Sequence, residues 1–347
     1  LKIPIANLYY LLCYAWGHAE ERDAVSAGDA GRFDRLHDLF GKVLAEGTFR
    51  VLHRGLDRGY REVREDLAGI RGKLQVSDMA KRALKARGQA ACLFEELSHD
   101  IRHNQILRST LGSLLRVRDL DPAVRAQVRL AFNRMEGVSV IRVDRQAFRQ
   151  VQLDGNRRVY RFLMAVCELV HQQLLVDETS GASLFRDFRD DDTYMWKLFE
   201  GFVAEFYTKE SADYRVAGQK KISWHEAWAP AEDDLARLPS MWADVLLESE
   251  QRRIILDAKF YGKSLDGPFG ARKLRSENLY QLLAYLRNRQ GAEPDGPHHE
   301  GILLYPVVDE PLAVEVRLEG FRIRARGVDL SQAWWKIHAD MLAVVAQ

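Results

Sequence analysis

Cysteine, proline and net charge are all scarce in this sequence, and each scarcity removes a class of protein. Cys13, Cys92 and Cys167 are the only cysteines among 347 residues, widely spaced and outside any CxxC or Cys/His pattern. They supply neither a disulfide framework nor a zinc site, so a reducing cytoplasm is the expected compartment. Nine prolines, set against 47% hydrophobic and 29% charged residues, exclude a collagen, a mucin-like stalk and a disordered tail. The apolar stretch Ile3–Trp16 contains Asn7 and lacks both a basic leader and a small-residue cleavage site. It is too short for a membrane span and does not match a signal peptide, so no membrane is expected. Fifty-one basic residues face 50 acidic ones, a formal charge of +1. Whole-molecule attraction to a polyanion is therefore absent, and any nucleic-acid site must be local.

What is present is enough chain for two domains. Helical periodicity is clear at Leu8, Leu11, Leu12 and Ala15, again over Phe33–Leu56, and over Asp100–Val117, Pro122–Glu136 and Arg158–Leu175. Between Gly59 and Leu74 the pattern is mixed, and the glycines of Gly69–Leu74 suggest a small hairpin. A turn-like Asp177–Gly181 and the run Asp190-Asp191-Asp192 place a boundary near residue 176. In that run Asp192 is expected to cap the following helix rather than to bind metal. Beyond it the order becomes helix (Met195–Phe206), strands (Arg253–Phe260, Gly301–Val307) and helix (Glu277–Arg287). The expected fold is α+β or α/β: a mainly helical N-terminal domain with a small β element, residues 1–176, then an α/β domain of nuclease size, residues 177–347.

The chemistry concentrates in Pro239–Glu248 and Arg253–Lys259. A two-residue turn at Glu250-Gln251 sets Asp244 directly across an antiparallel pair from Asp257. Opposed side chains there lie about 4.5–5.5 Å apart at Cβ, close enough for two carboxylates to bracket one hard cation, with Mg2+ the natural candidate. Alternation puts Lys259 on the face of Asp257, while Ala258 has only a backbone carbonyl to lend. Two carboxylates, a cation and a lysine suit phosphodiester hydrolysis: the metal polarises the phosphate and activates water, and Lys259 orients that water or offsets developing charge. A D-x-K tripeptide alone is common at strand ends; the apolar runs Val245–Leu247 and Ile254–Leu256, which bury both strands, raise its weight here.

Gln281 and Tyr285 share a helix face at i and i+4 and either frame this site or belong to the core. A further acid from the Met195–Phe206 helix is expected, Glu205 being preferred to Glu200 because Glu205 lies at the edge of the apolar stripe and Glu200 on its far side. Between Arg252 and Arg289 nine basic residues face three acidic ones. Within the glycine-rich Gly262–Ser276, Lys263, Arg272, Lys273 and Arg275 are expected to hold DNA phosphates.

These residues resemble the McrC family, the nuclease subunits of the McrBC modification-dependent, type IV restriction systems. Ile3-Pro4-Ile5-Ala6-Asn7-Leu8-Tyr9-Tyr10-Leu11-Leu12-Cys13-Tyr14-Ala15-Trp16 resembles the family's opening signature. Asp244…Asp257-Ala258-Lys259 resembles its PD-(D/E)xK motif, and Asn278–Tyr285 is similar to the helix after it. The motif's proline stands five residues before Asp244, at Pro239, rather than beside it. The resemblance covers the whole chain and implies a restriction-endonuclease-like C-terminal domain with Asp244, Asp257 and Lys259 catalytic. It also implies a McrB-like AAA+ GTPase hexamer as partner, docked and stimulated by the N-terminal domain. The DNA substrate would carry modified cytosine, such as 5-methylcytosine, recognised by the partner. Two rivals are a non-catalytic adaptor of an AAA+ motor and a stand-alone repair nuclease.

Overall fold

The computed structural model describes residues 3–22, 35–153, 157–176, 183–229, 232–261, 273–308 and 311–346. The chain divides into two compact units, residues 35–186 and residues 1–34 with 187–347. The later boundary thus falls ten residues beyond the expected one at 176, and the opening segment groups with the C-terminal rather than the N-terminal unit. The reason is packing. Helix α1 (Ile5–Ala15) presents Tyr10 and Tyr14 to the helix that begins at Asp192. Their rings lie 5.7 and 5.3 Å from those of Phe202 and Phe206. Asn7 Nδ2 donates to the Leu330 and Gln332 carbonyls at 2.8 and 2.6 Å. No local pattern in the sequence announces such a partner.

The middle unit is mainly helical: α2 (Leu36–Arg54), α3 (Val76–Lys81), α4 (Arg102–Leu114), α5 (Pro122–Arg134), α6 (Arg145–Arg149) and α7 (Arg158–Gln173). Helices α2 and α7 meet at Gly47, where an added Cβ would lie 2.3 Å from Leu163 Cδ2. A side chain there would have to displace Leu163. Its β element is a three-stranded sheet ordered β1 (Gly59–Leu67), β3 (Ala90–Ser98), β2 (Lys73–Leu74). The expected hairpin at Gly69–Leu74 is not formed: β1 and β2 both pair with β3, which lies between them. The strand partner comes from 16 or more residues downstream of β2, beyond α3, a separation that local turn signals do not register. A short ribbon, β4 (Leu174–Val176) with β5 (Ser183–Phe185), closes the unit.

The other unit holds a six-stranded mixed sheet ordered β10 (Ala313–Leu318), β11 (Phe321–Asp329), β9 (His299–Val307), β8 (Arg253–Ala258), β7 (Met241–Glu248), β6 (Arg215–Ile222). The β11–β9 and β9–β8 pairs are parallel and the others antiparallel. Central β9 is buried along its whole length, as expected of a strand covered on both faces. Helix α9 (Ser276–Ala292) covers one face, with Leu282 and Leu286 seated over Gly301 and packed with Ile255, Leu303 and Ala325. Helix α8 (Asp192–Glu210) packs on β6, β7 and β8, and helix α10 (Trp334–Ala346) on β11, with Tyr207 donating to the Met341 carbonyl at 2.8 Å. The N-cap of α8 is Asp191, whose carboxylate accepts from the Tyr194 amide at 3.0 Å, one residue before the expected Asp192. Among the described residues no helix is long and apolar enough to cross a membrane.

Candidate active site

Strands β7 and β8 pair in the register that a turn at Glu250-Gln251 dictates, from Glu248↔Arg253 to Val245↔Leu256. Ser249 N donates to the Arg252 carbonyl at 2.8 Å and closes the turn. After Val245↔Leu256 the paired ladder ends, and the next position in register holds Asp244 and Asp257. There a side chain takes over from the main chain: Asp244 Oδ2 accepts from the Ala258 amide at 2.7 Å. Asp257 is 1% exposed and lies opposite Leu303 of parallel β9.

Lys259 closes the site on the same side. Its amide donates to the Leu304 carbonyl at 2.8 Å, its Nζ lies 2.6 Å from Asp257 Oδ2, and the ammonium donates to Gln281 Oε1 at 2.9 Å. Gln281 Nε2 in turn donates to the Tyr285 hydroxyl at 2.6 Å. These hydrogen bonds link Gln281 and Tyr285 to Lys259, and Tyr285 is also buried in the core. Asn278, 2% exposed, was not singled out as a site residue by spacing. It donates to the Tyr305 hydroxyl and accepts from Tyr261, each at 3.1 Å, which braces the same helix face. Its signal in the sequence is its place one helical turn before Gln281.

Of the two acids of α8, Glu200 is the one whose charge reaches the aspartates. Glu200 faces the aspartates, and its charge raises the proton affinity of both; Gln219 of β6 donates to its Oε1 at 3.0 Å. Glu205 Oε2 lies instead beside Gly17, 4.0 Å from where a Cβ would stand. A helical wheel with one apolar stripe does not separate the two, because α8 is covered on two sides. Gly201 meets Ala15 of α1, and Ala204 meets Gly218 of β6. Position 200, one turn from Ala204, therefore points to the sheet, and 205 to the α1 side.

Of the expected phosphate-binding residues, Lys263 and Arg272 lie outside the described residues. Lys273 is exposed. The Arg275 guanidinium stacks 4.2 Å from the centroid of Tyr261, which itself contacts Asn278.

The electrostatics follow from crowding acids in a dry place. Burial, then Asp257, then Glu200, push the Asp244 carboxyl up to about 8. Asp257 is also raised, by burial first and with Glu200 adding, against the opposing pull of Lys259. Burial alone would lower Lys259, but Asp257 and Asp244 outweigh it and hold the lysine above its ordinary value. Lys259 is thus a fixed cation at neutral pH. The aspartate pair, strained by mutual repulsion and burial, suits a divalent ion, which relieves both. Among the described residues no group of three or more His, Cys, Asp or Glu side chains is gathered closely enough to hold a metal by itself. Two aspartates and a backbone carbonyl match a divalent cation that keeps several of its waters.

The chain is similar to known proteins over most of its length. A model of the family described as McrBC 5-methylcytosine restriction system component matches residues 5–306. The Escherichia coli (strain K12) protein named type IV methyl-directed restriction enzyme EcoKMcrBC is 29% identical over 342 residues, covering 99% of this chain and 97% of the relative. The fold is similar to that of a chain in the refined half-complex of Thermococcus gammatolerans McrB AAA+ hexamers with bound McrC. The TM-score is 0.63 at 19% identity, over 99% of this chain and 75% of that chain.

Proposed function

We propose, from the premise that the chain belongs to the McrBC 5-methylcytosine restriction system component family, that it is the Mg2+-dependent DNA endonuclease subunit of such a system. The observation that carries the proposal is the open end of the β7–β8 pair, where Asp244 and Asp257 face each other beside Lys259. Asp244, Asp257 and the Ala258 carbonyl would hold the cation, which when bound polarises the scissile phosphate and lowers the pKa of water. Lys259, kept protonated by its acidic neighbours, cannot take up a proton; its part is to offset the charge that develops on the phosphate. Gln281 fixes the direction of the ammonium, and Tyr285 fixes Gln281. Double-stranded DNA bearing a methylated base is the substrate class, in keeping with the name of the E. coli relative. A McrB-like AAA+ GTPase hexamer is the partner that recognises that base, and residues 35–186 are the unit that docks it. A formal charge of +1 agrees with delivery by a partner rather than with capture of DNA by the chain alone.

The test is cleavage of methylated and unmethylated plasmid DNA with Mg2+, with and without a McrB-like hexamer and GTP. Cutting only of methylated DNA, and only with partner and GTP, is expected. Cutting without the partner would favour a stand-alone nuclease; stimulation of GTP hydrolysis without any cutting would favour an adaptor.

A pH dependence follows from the aspartates. Both have proton affinities raised above the unfolded value of 3.8. Their contribution to stability is therefore complete below that value and is lost as pH rises through about 8, the value for Asp244. Without metal the melting temperature is expected to fall across this window, and saturating Mg2+ to restore it. Mg2+ affinity should rise with pH to about 8, with release of protons seen by calorimetry in buffers of different ionisation enthalpy. Affinity that stays flat between about pH 6 and 8 would remove the aspartates from the metal site.

A further inference from the structure

We propose that Gln219 is a positioning residue that holds the Glu200 carboxylate toward the Asp244–Asp257 pair, and that its left-handed backbone is part of the device. The inference rests on the nuclease reading of that site and adds a residue to it.

Four non-glycine residues have positive φ among the described residues: Ala83, Gln219, Glu226 and Glu319. Ala83, Glu226 and Glu319 stand in turns, where such a conformation is ordinary; Gln219, at φ +45°, stands inside a strand. Residues with side chains other than Asn and Asp rarely adopt this region, and a strand has no geometric need of it. No residue is inserted, because the β6–β7 register is the same on either side, Gly218↔Val245 and Lys220↔Ala243. The one position missing from the ladder between them is Gln219 opposite Asp244. The irregularity is thus confined to the residue that faces the catalytic aspartate. It delivers the Gln219 amide to Glu200 Oε1, where Nε2 donates at 3.0 Å.

Glu200 sits on a helix, whereas Asp244 and Asp257 sit on strands. Without a tether a glutamate side chain, with three rotatable bonds, would turn away from two like charges. The Gln219 hydrogen bond opposes that escape. Glycine at 219 would suit the backbone at no conformational cost but would supply no tether. Backbone strain kept beside a reactive site is the pattern expected when the side chain is needed there.

The test uses the full chain, alone for metal binding and with a McrB-like hexamer, GTP and methylated plasmid for cleavage. Gln219→Gly removes the tether and relieves the backbone, so its melting temperature should equal or exceed that of the parent. Its Mg2+ affinity, by calorimetry with the metal alone, and its cleavage rate should each fall about 10- to 100-fold, the usual cost of losing a group that orients a metal-site residue. Glu200→Gln should show the same two losses, and the double variant should be no worse than Glu200→Gln, because both changes cut one connection. Parental Mg2+ affinity and cleavage in Gln219→Gly, or additive losses in the double variant, would overturn the inference. Asp257→Asn separates the two levels. If it abolishes cleavage while Gln219→Gly is silent, only the role of Gln219 falls. If Asp257→Asn still cuts, the nuclease reading falls and this inference with it.

Discussion

Asp257→Asn is expected to reduce DNA cleavage by about a thousandfold or more, since a ligand that supplies several kcal/mol of transition-state charge stabilisation is lost. Stimulation of the partner's GTP hydrolysis should stay near that of the parent, because the unit proposed to dock the partner, residues 35–186, does not contain the site. The fold should survive as well. Burial raises the proton affinity of Asp257, so its charge carries a desolvation cost in the absence of metal, and Asn reproduces its shape without that charge. The variant should therefore melt no lower than the parent near pH 8, which separates lost chemistry from lost structure. Lys259→Met should give a comparable loss of cleavage through a different route, removal of the cation held against Asp257 at 2.6 Å. Persistent cutting by an Asp244→Asn, Asp257→Asn double variant, measured on methylated plasmid with partner, GTP and Mg2+, would sink the assignment.

The second large effect is structural. Glu300→Ala should destabilise the sheet-containing unit by about 3–5 kcal/mol, the cost of stripping the partner from a buried charge. Glu300 binds Arg252 at 2.7 Å and Arg324 at 3.3 Å, and Arg322 lies 3.7 Å away. Arg324 is 0% exposed, so it has no water to turn to when the carboxylate is gone. Burial already pulls its proton affinity below that of an ordinary arginine, and Glu300 is the chief opposing influence. The same arginines donate to the last turn of α10, Arg324 to the Val344 carbonyl at 3.0 Å and Arg252 to Val345 at 2.8 Å. Losing Glu300 therefore loosens β8, β9, β11 and that helix together. The melting temperature should fall by about 10 °C for a unit of this size. Glu315→Ala is the control: it breaks the more exposed pair with Arg322, 2.8 Å apart, and should barely shift the transition. A Glu300→Ala transition within a degree or two of the parent would show that the three arginines find other partners.

Much of the site is legible in the sequence because the rules that place it are local. A two-residue turn and a period of two residues per pleat put Asp244 across from Asp257 and Lys259 on the face of Asp257. A helical period put Gln281 and Tyr285 on one side of α9. The structure keeps each of these relations and adds the hydrogen bonds that join them. The long helices of the middle unit, α2, α4, α5 and α7, are legible for the same reason, whereas the short α3 and α6 carry too few turns to show a periodicity. A helical wheel does not separate Glu200 from Glu205, because their helix packs against α1 on one side and β6 on another, and a single sequence does not say how many faces of a helix are covered. The β1–β3 pairing went unseen because it joins segments separated by a loop, a short strand and a helix, where no turn signal marks the register.

The sequence by itself determined which side chains share a face: two aspartates and a lysine on neighbouring strands, and an amide and a phenol one helical turn apart. It also determined that whole-molecule charge would not attract DNA, since +1 is a sum over the composition. Only the tertiary structure decided which helix acid joins the aspartates, that Gln219 reaches it through a left-handed backbone, and that the first helix belongs with the sheet rather than with the residues that follow it. The physical reason is range. Turn geometry and side-chain periodicity act over a few bonds and are written in neighbouring residues, whereas the packing of a helix against distant elements depends on surfaces that exist only once the chain has folded.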